Sequence, residues 1–196
     1  MERLKLSTLV VLITLLTFTL SAHAQDKGHN EITLGIGGFT SNDFLNDVAN
    51  LTSSGGDLTY ENSSTIGFLY ITYGTAIAKN LMVNAIVGYQ SISEDVQTNG
   101  SNDGEVKRNY ITTGLEADYA WIAKEKFRLY SGLGIAYTTQ NDKYDGNNNN
   151  IEDGDDSFFN FQVNALGARF GDTVAAFAEV GFGYKGVLSL GVSFGL

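Results

Sequence analysis

The chain has 196 residues, 43% hydrophobic and 12% aromatic, with 22 acidic side chains against 12 basic ones and a net charge of −10. That balance argues against nucleic acid, whose phosphates require Lys and Arg. There is no cysteine, hence no disulfide framework and no thiolate metal site, and no proline, which suits a chain made mostly of paired strands.

The first 24 residues read as a cleaved secretory signal peptide. Arg3 and Lys5 form a basic start, residues 6–20 are apolar, and Ala22-His23-Ala24 supplies a small-x-small cleavage site before Gln25. Residues 25–196 then form one domain. No later apolar run reaches the roughly 20 residues of a membrane helix, so any span must be made by strands.

Eight segments alternate with period two or nearly so, at 31–39, 65–76, 81–92, 108–121, 127–139, 158–170, 173–184 and 187–195. Between the first two lies a polar segment, 40–64, that opens with SNDFLNDVANL. There Phe44, Leu45, Val48 and Leu51 fall at helical spacing, with Ser41 or Asn42 as the cap. This predicts a short loop helix packing its apolar side on the rim. The second segment, TIGFLYITYGTA, is apolar on both faces and its sides stay unassigned. In the fifth, Leu129, Leu133, Ile135 and Tyr137 oppose Arg128, Tyr130, Gly132, Gly134 and Ala136. The sixth slips phase near Leu166–Gly167, which predicts a bulge. In the seventh, Val174, Ala176, Ala178, Val180 and Phe182 oppose Ala175, Phe177, Glu179, Gly181 and Gly183. In the eighth, Leu188, Leu190, Val192, Phe194 and Leu196 oppose Ser189, Gly191, Ser193 and Gly195.

The connections at 77–80, 122–126 and 171–172 are short. Those at 40–64, 93–107 and 140–157 are long and polar, and only the Tyr184-Lys185-Gly186 turn breaks the alternation. Short turns at one end and long loops at the other fit the periplasmic and outer ends of a transmembrane barrel. Most of the acidic excess falls in the long loops. Few charges lie inside strands, chiefly Glu116, Asp118, Arg128, Arg169 and Glu179, whereas a soluble sheet would spread charge along its exposed face. Aromatic residues gather near strand ends: Tyr119, Trp121, Phe127, Phe170 and Phe194 at one rim, and Phe39, Tyr89, Tyr110, Tyr137, Phe159 and Tyr184 at the other. That predicts two interfacial girdles. The fold expected is all-β, an eight-stranded antiparallel up-and-down transmembrane β-barrel, closed because lipid cannot hydrogen-bond a strand edge.

In this architecture, and in Ser189, Gly191, Phe194 and Leu196 at the C-terminus, the chain resembles the OmpA- and OmpX-like outer-membrane β-barrel domain family. In that family a polar residue, a glycine two on and two spaced hydrophobics form an assembly signal. Leu196 departs from the usual terminal aromatic. The resemblance implies recognition by the outer-membrane insertion machinery, contact with outer-membrane lipid and lipopolysaccharide, and a location in the outer membrane of a Gram-negative bacterium.

Eight strands enclose an interior just wide enough for side chains. Arg128 and Asp118 share parity on consecutive strands and are expected to pair inside, with Glu116 and Glu179 near, as structural filling. Residues 25–196 hold one histidine, His29, and no serine in a nucleophile elbow, so no catalytic residue, enzyme activity or cofactor is expected. Asp145, Asn147 and Asn149 begin a calcium-like spacing, but Ile151 stands where a carbonyl ligand is needed and the expected glycine is missing. Residues 141–156 therefore read as a solvated acidic loop with weak divalent-cation association and no metal site. The leading expectation is a monomeric structural and surface-interaction barrel presenting acidic loops. The alternative is a small barrel that transports or binds an apolar ligand, gated by 41–51.

Overall fold

The computed structural model describes residues 28–53, 58–98, 100–146 and 153–196. The expected signal peptide and residues 147–152 of the acidic segment lie outside them. Eight strands follow in order: β1 (Asn30–Gly38), β2 (Leu58–Ala78), β3 (Leu81–Thr98), β4 (Ser101–Lys124), β5 (Phe127–Gly146), β6 (Gly154–Gly171), β7 (Val174–Gly183) and β8 (Leu188–Gly195), with helix α1 (Ser41–Ser53) between β1 and β2. Each strand pairs antiparallel with its sequence neighbour. β8 returns to β1, from Glu31 opposite Gly195 to Gly38 opposite Leu188, so the sheet closes with no free edge along this seam.

Side-chain parity decides inside from outside. On β5, Leu133 and Ile135 are 66% and 71% exposed, while Gly134 between them and Ala136 beside them are buried. β7 and β8 follow the expected alternation: Val174, Val180, Leu188 and Leu190 are outward, and Phe177, Glu179, Ser189 and Ser193 are buried. β2, unassigned by sequence, turns Phe68, Tyr70 and Thr72 inward and Leu69, Ile71 and Tyr73 outward. The predicted bulge is present. The β6–β7 register shifts between Asn164 and Leu166, so that Ala165 and Leu166 are both exposed.

The lumen accommodates rings because glycines stand opposite them. Tyr70 faces Gly35, and Tyr130 faces Gly167, across strand pairs. A Cβ on either glycine would meet the facing ring at 2.4 Å. Tyr110 and Tyr184, expected at the outer girdle, are 2% and 0% exposed inside the barrel. Tyr110 shares the inward parity of Arg108 and Thr112, and parity overrides its position near a strand end. Phe39, Tyr89, Tyr137 and Phe159 do face outward at the loop end, as Tyr119, Trp121 and Phe170 do at the turn end.

The expected long loops are in large part strand. β3 and β4 stay paired up to Thr98 and Ser101, and β4–β5 pairing reaches Gly104 and Gly146. Strands β2 to β6 thus rise as a tall wall beyond Gly38, Gly183 and Leu188, where β1, β7 and β8 end or begin. The reason is a continued alternation. Ile92, Glu94 and Val96 on β3, and Val106 and Arg108 on β4, are buried on the inner side of the wall. Ser93, Asp95 and Lys107 point the other way, which gives the segment the composition of a loop.

Candidate functional site

The barrel interior and its loop-end mouth hold most of the buried polar chemistry. α1 begins with a reciprocal cap at Thr40, not at Ser41 or Asn42. The Asp43 N–H donates to Thr40 Oγ1 at 3.1 Å, and the Thr40 N–H donates to Asp43 Oδ2 at 2.7 Å. From this start, Asn42, Asn46 and Asn50 recur every four residues along one helical face. Asn42 Nδ2 donates to Gln90 Oε1 at 3.0 Å, Asn46 Nδ2 to Glu94 Oε1 at 2.8 Å, and Asn50 Nδ2 to Glu94 Oε2 at 2.8 Å. Ser41 Oγ bonds Asn160 Oδ1 at 3.0 Å. Arg108 ties the helix to the wall: its Nη1 donates to Asn46 Oδ1 and ion-pairs Glu94 at 2.6 Å, and its Nε lies 3.5 Å from Asp142. Burial pushes the Asp142 carboxyl above its ordinary range, against hydrogen bonds from Gln140 and the charge of Arg108.

The helix therefore sits the other way round from expectation. Its amide face seals the mouth, while Phe44, Leu45 and Val48 are 61%, 45% and 40% exposed. Leu51 belongs to the helix, but its side chain lies outside the described residues. The strand wall supplied buried polar partners for the asparagines, and unpaired amides would have cost more to bury than the apolar side gains by covering.

Below the mouth lies a second layer. Lys185, in the β7–β8 turn, is 2% exposed and ion-pairs Glu116 at 3.0 Å and Glu179 at 2.8 Å. Tyr184 Oη donates to Glu116 at 2.8 Å, and Tyr130 Oη donates to Glu179 at 2.7 Å. Lys185 also stands over the Tyr70 ring, whose hydroxyl bonds Ser189. The turn reaches inward because Gly183 and Gly186 take φ of 137° and 93°, which L side chains rarely adopt. The Lys185 N–H is held by Gln162 Oε1 at 2.9 Å.

A third layer lies toward the short turns. Glu31 ion-pairs Arg128 and Arg169, each at 2.9 Å, and Arg169 donates onward to the Gly171 and Asp172 carbonyls. Arg128 does not pair with Asp118 as expected. Asp118 instead accepts from Asn84 Nδ2 at 2.6 Å. Parity places both residues inside, but the β4–β5 register sets Asp118 opposite Gly132 and Arg128 opposite Ala123, several residues nearer the short turn, where Arg128 reaches Glu31 of β1 across the lumen. A cavity between these layers, lined by residues that include Glu31, Glu116, Asp118, Arg128 and Lys185, is about 20 Å³, room for about one water.

Among the residues of the C-terminal assembly pattern, Ser189 is buried, Gly191 is half-buried on the inner side, and Phe194 and Leu196 face outward. Sequence reasoning missed Glu31, Glu94, Arg108 and Lys185 as lumen residues. Lys185 stands in a tight turn between two strands, where a basic residue normally faces solvent, yet it continues the inward parity of Phe177, Glu179, Gly181 and Gly183. Glu31, Glu94 and Arg108 likewise carry inward parity on their strands.

No protein-family pattern and no curated protein matches the sequence. Among solved structures, the chain is similar to the N-terminal β-barrel domain of Pseudomonas aeruginosa OprF, at 15% sequence identity and a TM-score of 0.45, over 89% of this chain and 100% of that one.

Proposed function

We propose that the protein is an integral β-barrel of a Gram-negative outer membrane with a structural and surface-interaction role, and that it is neither a pore nor an enzyme. One observation carries this reading: the barrel is inside out relative to a water-soluble protein. Leu34, Ile71, Val87, Ile111, Leu133 and Val180 are each about half exposed or more, while Glu31, Arg108, Glu116, Arg169, Glu179 and Lys185 are buried. An apolar outer belt around a polar interior is what a bilayer selects. Soluble monomers rarely expose contiguous apolar surface beyond a few hundred Å².

The interior supports filling rather than passage. Three charged layers are bridged across the lumen, and α1 covers the mouth with amides. An apolar ligand entering past 41–51 would meet the polar Asn42, Asn46 and Arg108 first, and the apolar Ile92, Val96 and Val106 beside them are already buried, which disfavours the transport alternative. The outward side of the tall wall and the exposed face of α1 remain for surface interaction. Lipopolysaccharide, the insertion machinery during assembly, and weakly held divalent cations at the acidic wall are the partners this reading proposes.

Planar-bilayer recording tests it. The expected trace has insertion without sustained openings. Discrete, long-lived conductance steps in the parent protein would replace the filled barrel with a gated channel.

A further inference from the structure

Among the described residues, only two basic side chains face outward at the loop end, Lys107 on β4 and Lys143 on β5. Arg108 and Lys185 point into the barrel, and Lys79, Lys124 and Lys126 lie at the short turns. The β4–β5 register sets Lys107 directly opposite Lys143. Residues so placed have Cβ atoms about 5 Å apart, and like charges there are destabilising. Neither ammonium joins an ion pair among the described residues. The next pair outward, Glu105 opposite Asp145, is equally one-signed. The two signs are thus stacked as separate bands where interleaving them would have removed both repulsions.

The pair on the other side of the lysines is Asn109 opposite Asn141. Asn109 Oδ1 accepts from Tyr89 Oη at 2.7 Å and from Ser91 Oγ at 3.1 Å. That commits the amide oxygen and leaves the amide NH2 as a donor next to Lys107 on the same face. Ile111, opposite Thr139, marks the edge of the apolar belt on these strands, four residues from Lys107. At about 3.3 Å per residue and a tilt of about 40°, the lysines stand about 10 Å beyond that edge. This is headgroup depth, and lysine stems bend toward such a layer while keeping the ammonium wet.

We infer that Lys107 and Lys143, with Asn109 beside them, bind the phosphate of a lipid headgroup in the leaflet at the loop end. The inference rests on the membrane reading above. A shared anion would turn the cross-strand repulsion into a bidentate contact, and it explains why two outward cations of an acidic end are placed in one register.

The test uses the full chain folded into phosphatidylcholine vesicles, with or without phosphatidic acid, whose headgroup is a bare phosphomonoester. Native mass spectrometry then reads the lipid retained. Lys107→Ala and Lys143→Ala are each expected to lower retained phosphatidic acid about fivefold, and the double variant about 25-fold. In pure phosphatidylcholine the double variant should melt no lower than the parent, and its deficit should appear only with phosphatidic acid. Unchanged retention in the double variant overturns the inference. So does an equal loss of stability in both lipids, which would mean that the lysines only offset Glu105 and Asp145. A parent that does not fold into phosphatidylcholine at all overturns the membrane reading itself and is recognised before any variant is compared.

Discussion

Lys185→Met is expected to lower the stability of the folded barrel by about 3–5 kcal/mol, the range seen when one partner of a buried ion pair is removed. Methionine fills similar volume, so the loss comes from charge. Glu116 and Glu179 are buried at 4% and 5% exposure and share Lys185 as their cation. Tyr184 and Tyr130 still donate to them, but neither carries charge. The compensating variant is informative. Lys185→Met combined with Glu116→Gln and Glu179→Gln keeps acceptors for both tyrosines, removes the stranded charges, and should recover most of the loss. Urea unfolding in lipid vesicles, followed by tryptophan fluorescence, measures both. If Lys185→Met alone changes stability by less than about 0.5 kcal/mol, as surface substitutions usually do, the β7–β8 turn does not fold into the lumen.

Leu133→Arg carries the second large effect and separates a membrane barrel from a soluble one. Leu133 is 66% exposed on the outer face of β5, midway along the apolar stretch from Leu129 to Tyr137. In water, an arginine at so open a position would matter little. At the bilayer midplane it costs about 2–4 kcal/mol, falling to about 0–1 near the interface. Thr139→Arg, on the same strand and face but beyond the belt, is the matched control. The expected result in lipid is a clear loss for Leu133→Arg and little change for Thr139→Arg. Equal, small effects at both positions would argue that the outer belt faces water.

These expectations rest on features of unequal legibility. Period-two alternation locates all eight strands and turns Glu116, Asp118, Arg128 and Glu179 inward, because these residues alternate with outward hydrophobics. The slip near Leu166 was readable as a break in that alternation. Other features could not be read in this way. Alternation assigns a face but not a height around a tilted barrel, so Arg128 was matched to Asp118 on the neighbouring strand when its partner, Glu31, comes from β1. Polar composition concealed the tall wall, since Ser93, Asp95 and Lys107 look like loop residues until Ile92, Glu94 and Val96 are recognised as the other face of the same strand. For α1, the four-residue repeat of Asn42, Asn46 and Asn50 was as regular as the apolar pattern opposite it. Which side turned inward depended on Gln90, Glu94 and Arg108 waiting on the wall, a tertiary fact with no local signature. The Tyr184-Lys185-Gly186 turn is the most misleading, because a basic residue between two strands normally faces solvent, and only the continued parity from Glu179 and the glycines at 183 and 186 point inward.

On the proposed reading, the closed barrel has lipid outside and bridged charge inside. Folding the chain into phosphatidylcholine vesicles and comparing unheated with boiled samples on an SDS gel, with far-ultraviolet circular dichroism alongside, tests it most directly. A strand-dominated spectrum and an unheated band that migrates apart from the boiled one are expected, because the sheet closes from β8 to β1 and that ring resists the detergent. A single band at the same position before and after boiling, from a protein that is folded and soluble without lipid or detergent, would contradict it.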